Sequence, residues 1–388
     1  MQTQSPEGIA ADILSDHFGR AVQLGPGVRL RSSDRAHVYR CPLVDGPPEA
    51  PGSVIVKCAA RRYGATAAGA IDGNVWQDWA GMQLIALANS GDPLTPRCYG
   101  GQVSGVIVLE DLGDTSSLRD VMAGADSQCA EESLVSYLVS LGKLHACTHG
   151  HCAQFQEIRA SLGSYDPERD WYPRRYAQLS QHFYDMVHHA QITAAPGVEG
   201  DLTTVVETLR APGPFFTYIH GDPTPSNCLL VKAGPRLIDF EYAAYGHALL
   251  DGVQARMCFP SGPFVNRIPE RIAQRAEAAY RAELARCCAA AADDMLFARA
   301  VAVACAYWAI GFLSWLPFAE VLVADRQWGS ATVRQRCILF AELFAQAAAE
   351  AGYLEALGAT FQALAIRMRK LWPAAAEMLL YPAFVGDA

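Results

Sequence analysis

The chain is poor in charge. Only 18% of its 388 residues are Asp, Glu, Lys or Arg, and acids outnumber bases 40 to 31, for a net charge of −9. Without a basic excess it lacks the footprint that displaces counterions from a nucleic acid, so no nucleic-acid partner is expected. Cysteine is sparse as well. Twelve thiols over this length are too few for a disulfide scaffold, and reduced thiols in a cytoplasmic protein are the simple reading. Met1 to Arg20 offers neither a basic n-region nor an apolar h-region, so no secretory leader is expected. Repeats, low-complexity tracts and long linkers are missing, which excludes solenoids and disordered tethers. Long uncharged runs are scarce, and one stands out. Ala300 to Ala319 is 20 residues without a charge, long enough to span a bilayer. Its alanine content, Gly311, Pro317 and the lack of a basic flank favour a buried core helix, so no membrane partner is expected.

What is present is apolar material, 51% of the chain, enough to bury against chain entropy and to fill two or three domain-sized units. Ser5-Pro6-Glu7 reads as an N-cap, an N1 proline and a first-turn acid. Ile9, Ile13, Leu14 and Phe18 then mark one helical face, which Gly19 stops. Strand patterns follow at 28–31, 37–44 and 53–57, a helix at about 74–89, and strands again at 98–102 and 105–110. For the first three, lying in sequence, short turns and β-branched runs predict an antiparallel meander. Beyond Gly113 the pattern is mainly helical: 134–146, 174–191, 200–210, and nearly all of 269–372. Short strands are predicted at 215–219, 228–231 and 236–240. The division is a small β-rich unit over 1–113 and a larger helical unit with a long helical tail over 114–388.

Two polar groups invite chemistry. His145, Cys147, His149, His151 and Cys152 crowd into eight residues. No second ligand pair stands nearby with finger-like spacing, and a helix end with solvated histidines is preferred over zinc. The second group is denser. His220-Gly221-Asp222-Pro223-Thr224-Pro225-Ser226-Asn227 is followed, a short run later, by Ile238-Asp239-Phe240-Glu241, each block after an apolar strand-like stretch. Two acids and an amide make an all-oxygen Mg²⁺ set, and an acid not spent on metal can orient and deprotonate a hydroxyl.

HGDPTPSN followed by IDFEYAAYGHALLD resembles the catalytic core of the aminoglycoside phosphotransferase and choline kinase superfamily, over roughly residues 25 to 255. The resemblance implies an α+β, bilobal, protein-kinase-like fold: a small antiparallel β-sheet N-lobe and a large, mainly helical C-lobe. It also implies ATP and Mg²⁺ as cofactors and a small-molecule hydroxyl as acceptor. By the same resemblance Asp222 is the catalytic acid–base and Asn227 and Asp239 are metal ligands, with Glu241 a further candidate in an Asp-x-Glu pattern. Lys57, ending SVIVK, is the phosphate-binding lysine, and Ser32 and Ser33 form the turn over the phosphates. Glu110 and Leu112, in EDLG, belong to a hinge that reads adenine through backbone groups. Asp251 and His220 are structural. Two departures stand out. The glycine-rich G-x-G-x-x-G is lacking, with Gly25-Pro26-Gly27 lying before the first strand. The helical acid that pairs with the lysine is an aspartate, Asp78, with Gln77 as a neighbouring possibility. The expected activity is ATP-dependent phosphoryl transfer to an antibiotic or a related sugar or amino-alcohol metabolite. The alternative is a catalytically inactive kinase-like nucleotide-binding protein.

Overall fold

The computed structural model describes residues 4–33, 35–60, 74–91, 93–163, 165–313, 316–375 and 377–387. They form two compact units. The first comprises Met1–Thr115, His151–Tyr165 and Arg236–Ala243; the second comprises Ser116–Gly150, Asp166–Pro235 and Ala244–Ala388. The first unit therefore runs two residues past the division expected at 113 and takes in two later segments.

In the first unit, helix α1 (Pro6–Phe18) starts where Ser5 Oγ accepts the Gly8 amide at 3.2 Å and ends at Gly19, in the left-handed region at φ 65°. The sheet has six strands: β1 (Gln23–Leu24), β2 (Val28–Ser32), β3 (Ala36–Asp45), β4 (Ser53–Ala59), β5 (Cys98–Gln102) and β6 (Val106–Glu110). Its order is β1-β3-β4-β6-β5, with β2 also on β3, and every pairing is antiparallel. The predicted meander is present; the two-residue β1 was not foreseen, being too short to show a period. One sheet face is dry: Val54 and Val56 of β4 and Val106 and Val108 of β6 bury against Ala10 and Leu14 of α1. Each such valine contributes roughly 1.5–3 kcal/mol of apolar burial. Lys57 alternates with Val56 and therefore points to the other face. It sits mid-sheet, opposite Val38 of β3 and Ile107 of β6. Helix α2 (Asn74–Ala88) buries Val75, Trp76, Met82 and Ile85.

In the second unit, helix Ser127–Thr148 is capped by Asp126 and packs on helix Glu270–Leu284. The crossing is close enough to need a glycine: a Cβ on Gly142 would meet Tyr280 O at 2.8 Å. Strand Phe216–Ile219 pairs antiparallel with Ala244–His247, Ile219 opposite Ala244. Helix Asp294–Gly311, N-capped by Asp293, is long and apolar enough to cross a membrane, and its Ala300–Gly311 residues are buried. It packs on helix Val333–Ala351 in the core, as its alanine content suggested. Trp308 and Phe312 are buried there; Trp315 lies outside the described residues. Three expectations are corrected. The helix expected at 174–191 is two, Trp171–Tyr176 and Leu179–Ala190; the strand expected to run to 240 ends at Leu237; and a small hairpin, Gln327–Trp328 with Ala331–Thr332, interrupts the helical tail.

Candidate active site

In the first unit three side chains meet. Lys57 Nζ lies 2.6 Å from Asp78 Oδ2 and 2.6 Å from Asp239 Oδ1. Lys57 is 6% and Asp78 1% exposed. Burial pulls the ammonium towards neutrality, but Asp78 and Asp239 outweigh it and raise the pKa of Lys57, so the lysine stays charged. The shorter acid reaches because Asp78 is itself tied down, its Oδ1 accepting the Phe240 amide at 3.0 Å. Gln77, the neighbouring possibility, is committed elsewhere: its amide donates to Ala243 O and its carbonyl accepts Arg159 Nε. Asp239 follows the end of its strand with φ 69°, a left-handed conformation that Asp tolerates better than most residues. Its second oxygen lies 3.3 Å from Arg31 Nη1, and Arg35 Nη1 lies 3.1 Å from Glu241 Oε1. Burial and the charge of Asp239 raise the Glu241 pKa, against the opposing pull of Lys57 and Arg35.

In the second unit, the loop after strand Phe216–Ile219 carries Asp222 and Asn227. The Asn227 amide nitrogen donates to Asp222 O at 2.9 Å and to Asp222 Oδ2 at 3.2 Å. That spends the nitrogen on the loop and leaves the amide carbonyl as the oxygen donor. The loop is held from beneath. Asp251, fully buried, accepts the His220 amide at 2.6 Å and the Gly221 amide at 3.3 Å. Tyr172 donates to Gly221 O at 2.6 Å, and Tyr137 donates to Pro223 O. Fully buried His145 meets Asp251 Oδ2 at 3.1 Å through Nε2 and the Tyr280 hydroxyl at 2.8 Å through Nδ1. The reading of His145 as a solvated helix end is thus corrected. Its ring is taken up by a carboxylate that fixes the loop, and a tyrosine closes the other side. Among the described residues no group of three or more His, Cys, Asp or Glu side chains is placed for a metal, so the zinc alternative gains no support.

The family model that matches is described as the phosphotransferase enzyme family, over residues 82–291. The match spans more than half of the chain and contains Asp222, Asn227, Asp239 and Asp251. The chain belongs to this phosphotransferase family. Among curated proteins no sequence matches it. Solved structures similar to it include a choline kinase from Cryptosporidium parvum, 11% identical over 90% of each chain, with a TM-score of 0.43. A choline kinase from Streptococcus pneumoniae is 12% identical over 87% of this chain and 98% of that one, with a TM-score of 0.43. A macrolide 2'-phosphotransferase from Brachybacterium faecium is 18% identical over 77% and 91%, with a TM-score of 0.38.

The remaining sequence-derived candidates of this phosphotransferase are placed as follows. Ser32 Oγ pairs with His37 Nδ1 at 2.9 Å, and Ser33 Oγ accepts the Ala36 amide at 3.1 Å, so both hydroxyls are engaged within the β2–β3 hairpin. Glu110 ends β6, and its amide and carboxylate are both bound to Arg97. Leu112 follows two residues on, outside any helix or strand, and its backbone N–H and C=O make no hydrogen bond to a described residue. The helical tail also carries acids that a cationic acceptor could call on, Glu270, Asp293, Asp294, Glu320 and Asp325, and all five are exposed. Sequence reasoning missed the roles of Arg31 and Arg35 at the site, and the buttress built from Tyr137, Tyr172, His145 and Tyr280. The arginines carried a signal, since they flank the very turn singled out for phosphate; a buried tyrosine such as Tyr137, 86 residues from its partner Pro223, carries none.

Proposed function

We propose that this phosphotransferase moves the γ-phosphoryl group of ATP to a hydroxyl of a small molecule, an antibiotic or a related sugar or amino-alcohol metabolite. The observation that carries the reading is the loop Asp222–Asn227, presented by a strand and pinned by the buried Asp251 through two backbone amides. Positioning of that quality is what phosphoryl transfer asks of a protein. An ionised Asp222 only accepts hydrogen bonds, so it would orient the acceptor hydroxyl and take its proton as the oxygen–phosphorus bond forms and the β–γ bridging bond breaks. Lys57, held charged by Asp78 and Asp239, is suited to fix phosphate oxygens. The backbone of Leu112 suits the adenine edge.

The residue types fit Mg²⁺. The Asp239 carboxylate and, as a further candidate, the Glu241 carboxylate of the first unit are hard oxygen ligands, as is Asn227 Oδ1 of the second, and magnesium takes few protein ligands beside phosphate oxygens and water. Bound at Asp239 it would neutralise charge on the phosphates. The exposed tail acids do not favour a cationic acceptor over a neutral one, so the acceptor class is best found by trial. The test is incubation with ATP and Mg²⁺ against a panel of hydroxyl-bearing antibiotics, sugars and amino alcohols, read by mass for an added phosphoryl group. ATP binding without transfer to any acceptor, across a broad panel, would favour the inactive nucleotide-binding alternative.

A further inference from the structure

The β2–β3 hairpin carries two arginines where many phosphate-binding turns carry glycines, and both lie on acids. Arg31, opposite Val38 near the end of β2, reaches Asp239 Oδ2 at 3.3 Å; Arg35, in the turn, reaches Glu241 Oε1 at 3.1 Å. Lys57 already occupies Asp239 Oδ1 at 2.6 Å. Each oxygen of the Asp239 carboxylate therefore faces a side-chain cation, and within the first unit Lys57, Arg31 and Arg35 balance Asp78, Asp239 and Glu241 in charge. A divalent cation arriving at Asp239 competes with both for the carboxylate charge, and displacing one of them relieves the repulsion between cations. The exposures decide which. The Lys57 side chain is 8% exposed and tethered to Asp78, whereas the Arg31 side chain is 64% exposed with Asp239 as its ion-pair partner. Exposed pairs hold weakly and are screened by solvent, so Arg31 is the one that leaves.

We propose that Arg31, with Arg35 beside it, is an exchange residue. It holds a metal-site carboxylate while no cation is bound, and transfers to the nucleotide polyphosphate when a divalent cation takes that carboxylate. The released guanidinium remains anchored on β2, on the same hairpin as the Ser32–Ser33 turn, and its planar fork matches phosphate oxygens. It would supply donors that the engaged serine hydroxyls do not. The inference rests on the reading of Asp239 as a metal ligand.

That exchange gives one residue two effects of opposite sign. Removing Arg31 removes a competitor for the cation and a ligand for the phosphates. Mn²⁺ alone, followed by electron paramagnetic resonance, should bind Arg31→Ala several-fold more tightly than wild type. MgATP, followed by calorimetry, should bind it about tenfold more weakly, the scale of one lost charge-assisted contact. Arg35→Ala should move both affinities in the same directions by less, because Arg35 also stacks over Tyr242 at 5.1 Å. Melting temperatures should stay at the wild-type value, since the Arg31 side chain is largely in solvent. Unchanged or weaker Mn²⁺ binding by Arg31→Ala, or unchanged MgATP binding, overturns the exchange. Asp239→Ala separates the two layers. If it binds Mn²⁺ as wild type does, or if wild type binds neither probe, the metal reading itself fails and takes the inference with it. If Asp239→Ala loses Mn²⁺ while Arg31→Ala changes nothing, the exchange alone fails.

Discussion

At Asp222 one negative charge separates two states of the same shape. Asp222→Asn keeps the loop's volume and removes the proposed acceptor of the hydroxyl proton. Its expected effect is a kcat lowered by roughly 10²–10⁴-fold, the usual cost of losing a general base, with ATP affinity nearly unchanged. Unimpaired kcat, or lost ATP binding with kcat intact, would assign the role to another residue. Asp78 asks a different question, because it is buried and serves Lys57 and the Phe240 amide together. Asp78→Ala leaves a buried ammonium with one partner, so it should destabilise the fold by about 3 kcal/mol and weaken ATP binding. In a double-mutant cycle with Lys57→Met the losses should be clearly less than additive, and additive losses in denaturant midpoints would deny the pair. These two residues also mark what the sequence could and could not say. Asp222 was legible because its neighbours in the chain are its neighbours in the site. Asp78 was doubtful because its reach depends on a backbone amide more than 160 residues away, which no local pattern encodes.

Among elements, the Asp222–Asn227 loop depends on side chains that present themselves from helices. Tyr172 comes from the short helix Trp171–Tyr176, whose boundaries the hydrophobic period blurred into one long helix. Its hydroxyl satisfies the Gly221 carbonyl at 2.6 Å in a buried setting. Tyr172→Phe should therefore cost about 1–2 kcal/mol by leaving that carbonyl unsatisfied. Because the loop loses a fixed point, kcat should fall more than ATP affinity does. A variant with wild-type melting and wild-type kcat would show that the loop is held by Asp251 and Tyr137 alone. The strands were legible, from continuous β-branched apolar runs such as Val54–Val56 and Val106–Val108 between short turns. The hairpin at Gln327–Thr332 was not. Only the fold shows why Gly329, at φ 67°, stands there: a Cβ would lie 1.7 Å from Pro263 O.

For the molecule as a whole, composition described the burial of the helix Asp294–Gly311 but said nothing about titration. His247, fully buried and stacked on Phe215 at 5.4 Å, has its pKa pulled from 6.5 to about 4 by burial, with His145 adding to the shift. The unfolded chain therefore binds this proton at a higher pH than the folded one. The stability at stake is fully present above about pH 6.5 and is lost as pH falls towards about 4, on the order of 3 kcal/mol at about 1.4 per unit. Half-buried His182, its pKa also lowered by burial, works in the same direction. Melting temperatures across this window should drop steeply for wild type and less for His247→Gln; parallel curves would remove His247 as the cause.

The central claim is metal-dependent phosphoryl transfer from ATP to a small-molecule hydroxyl through this site. It is tested most directly by mass detection of phosphorylated acceptor, with ATP and Mg²⁺, in wild type and Asp239→Ala side by side. The account predicts a phosphorylated product for wild type and none above background for Asp239→Ala. Equal product from both proteins would contradict it.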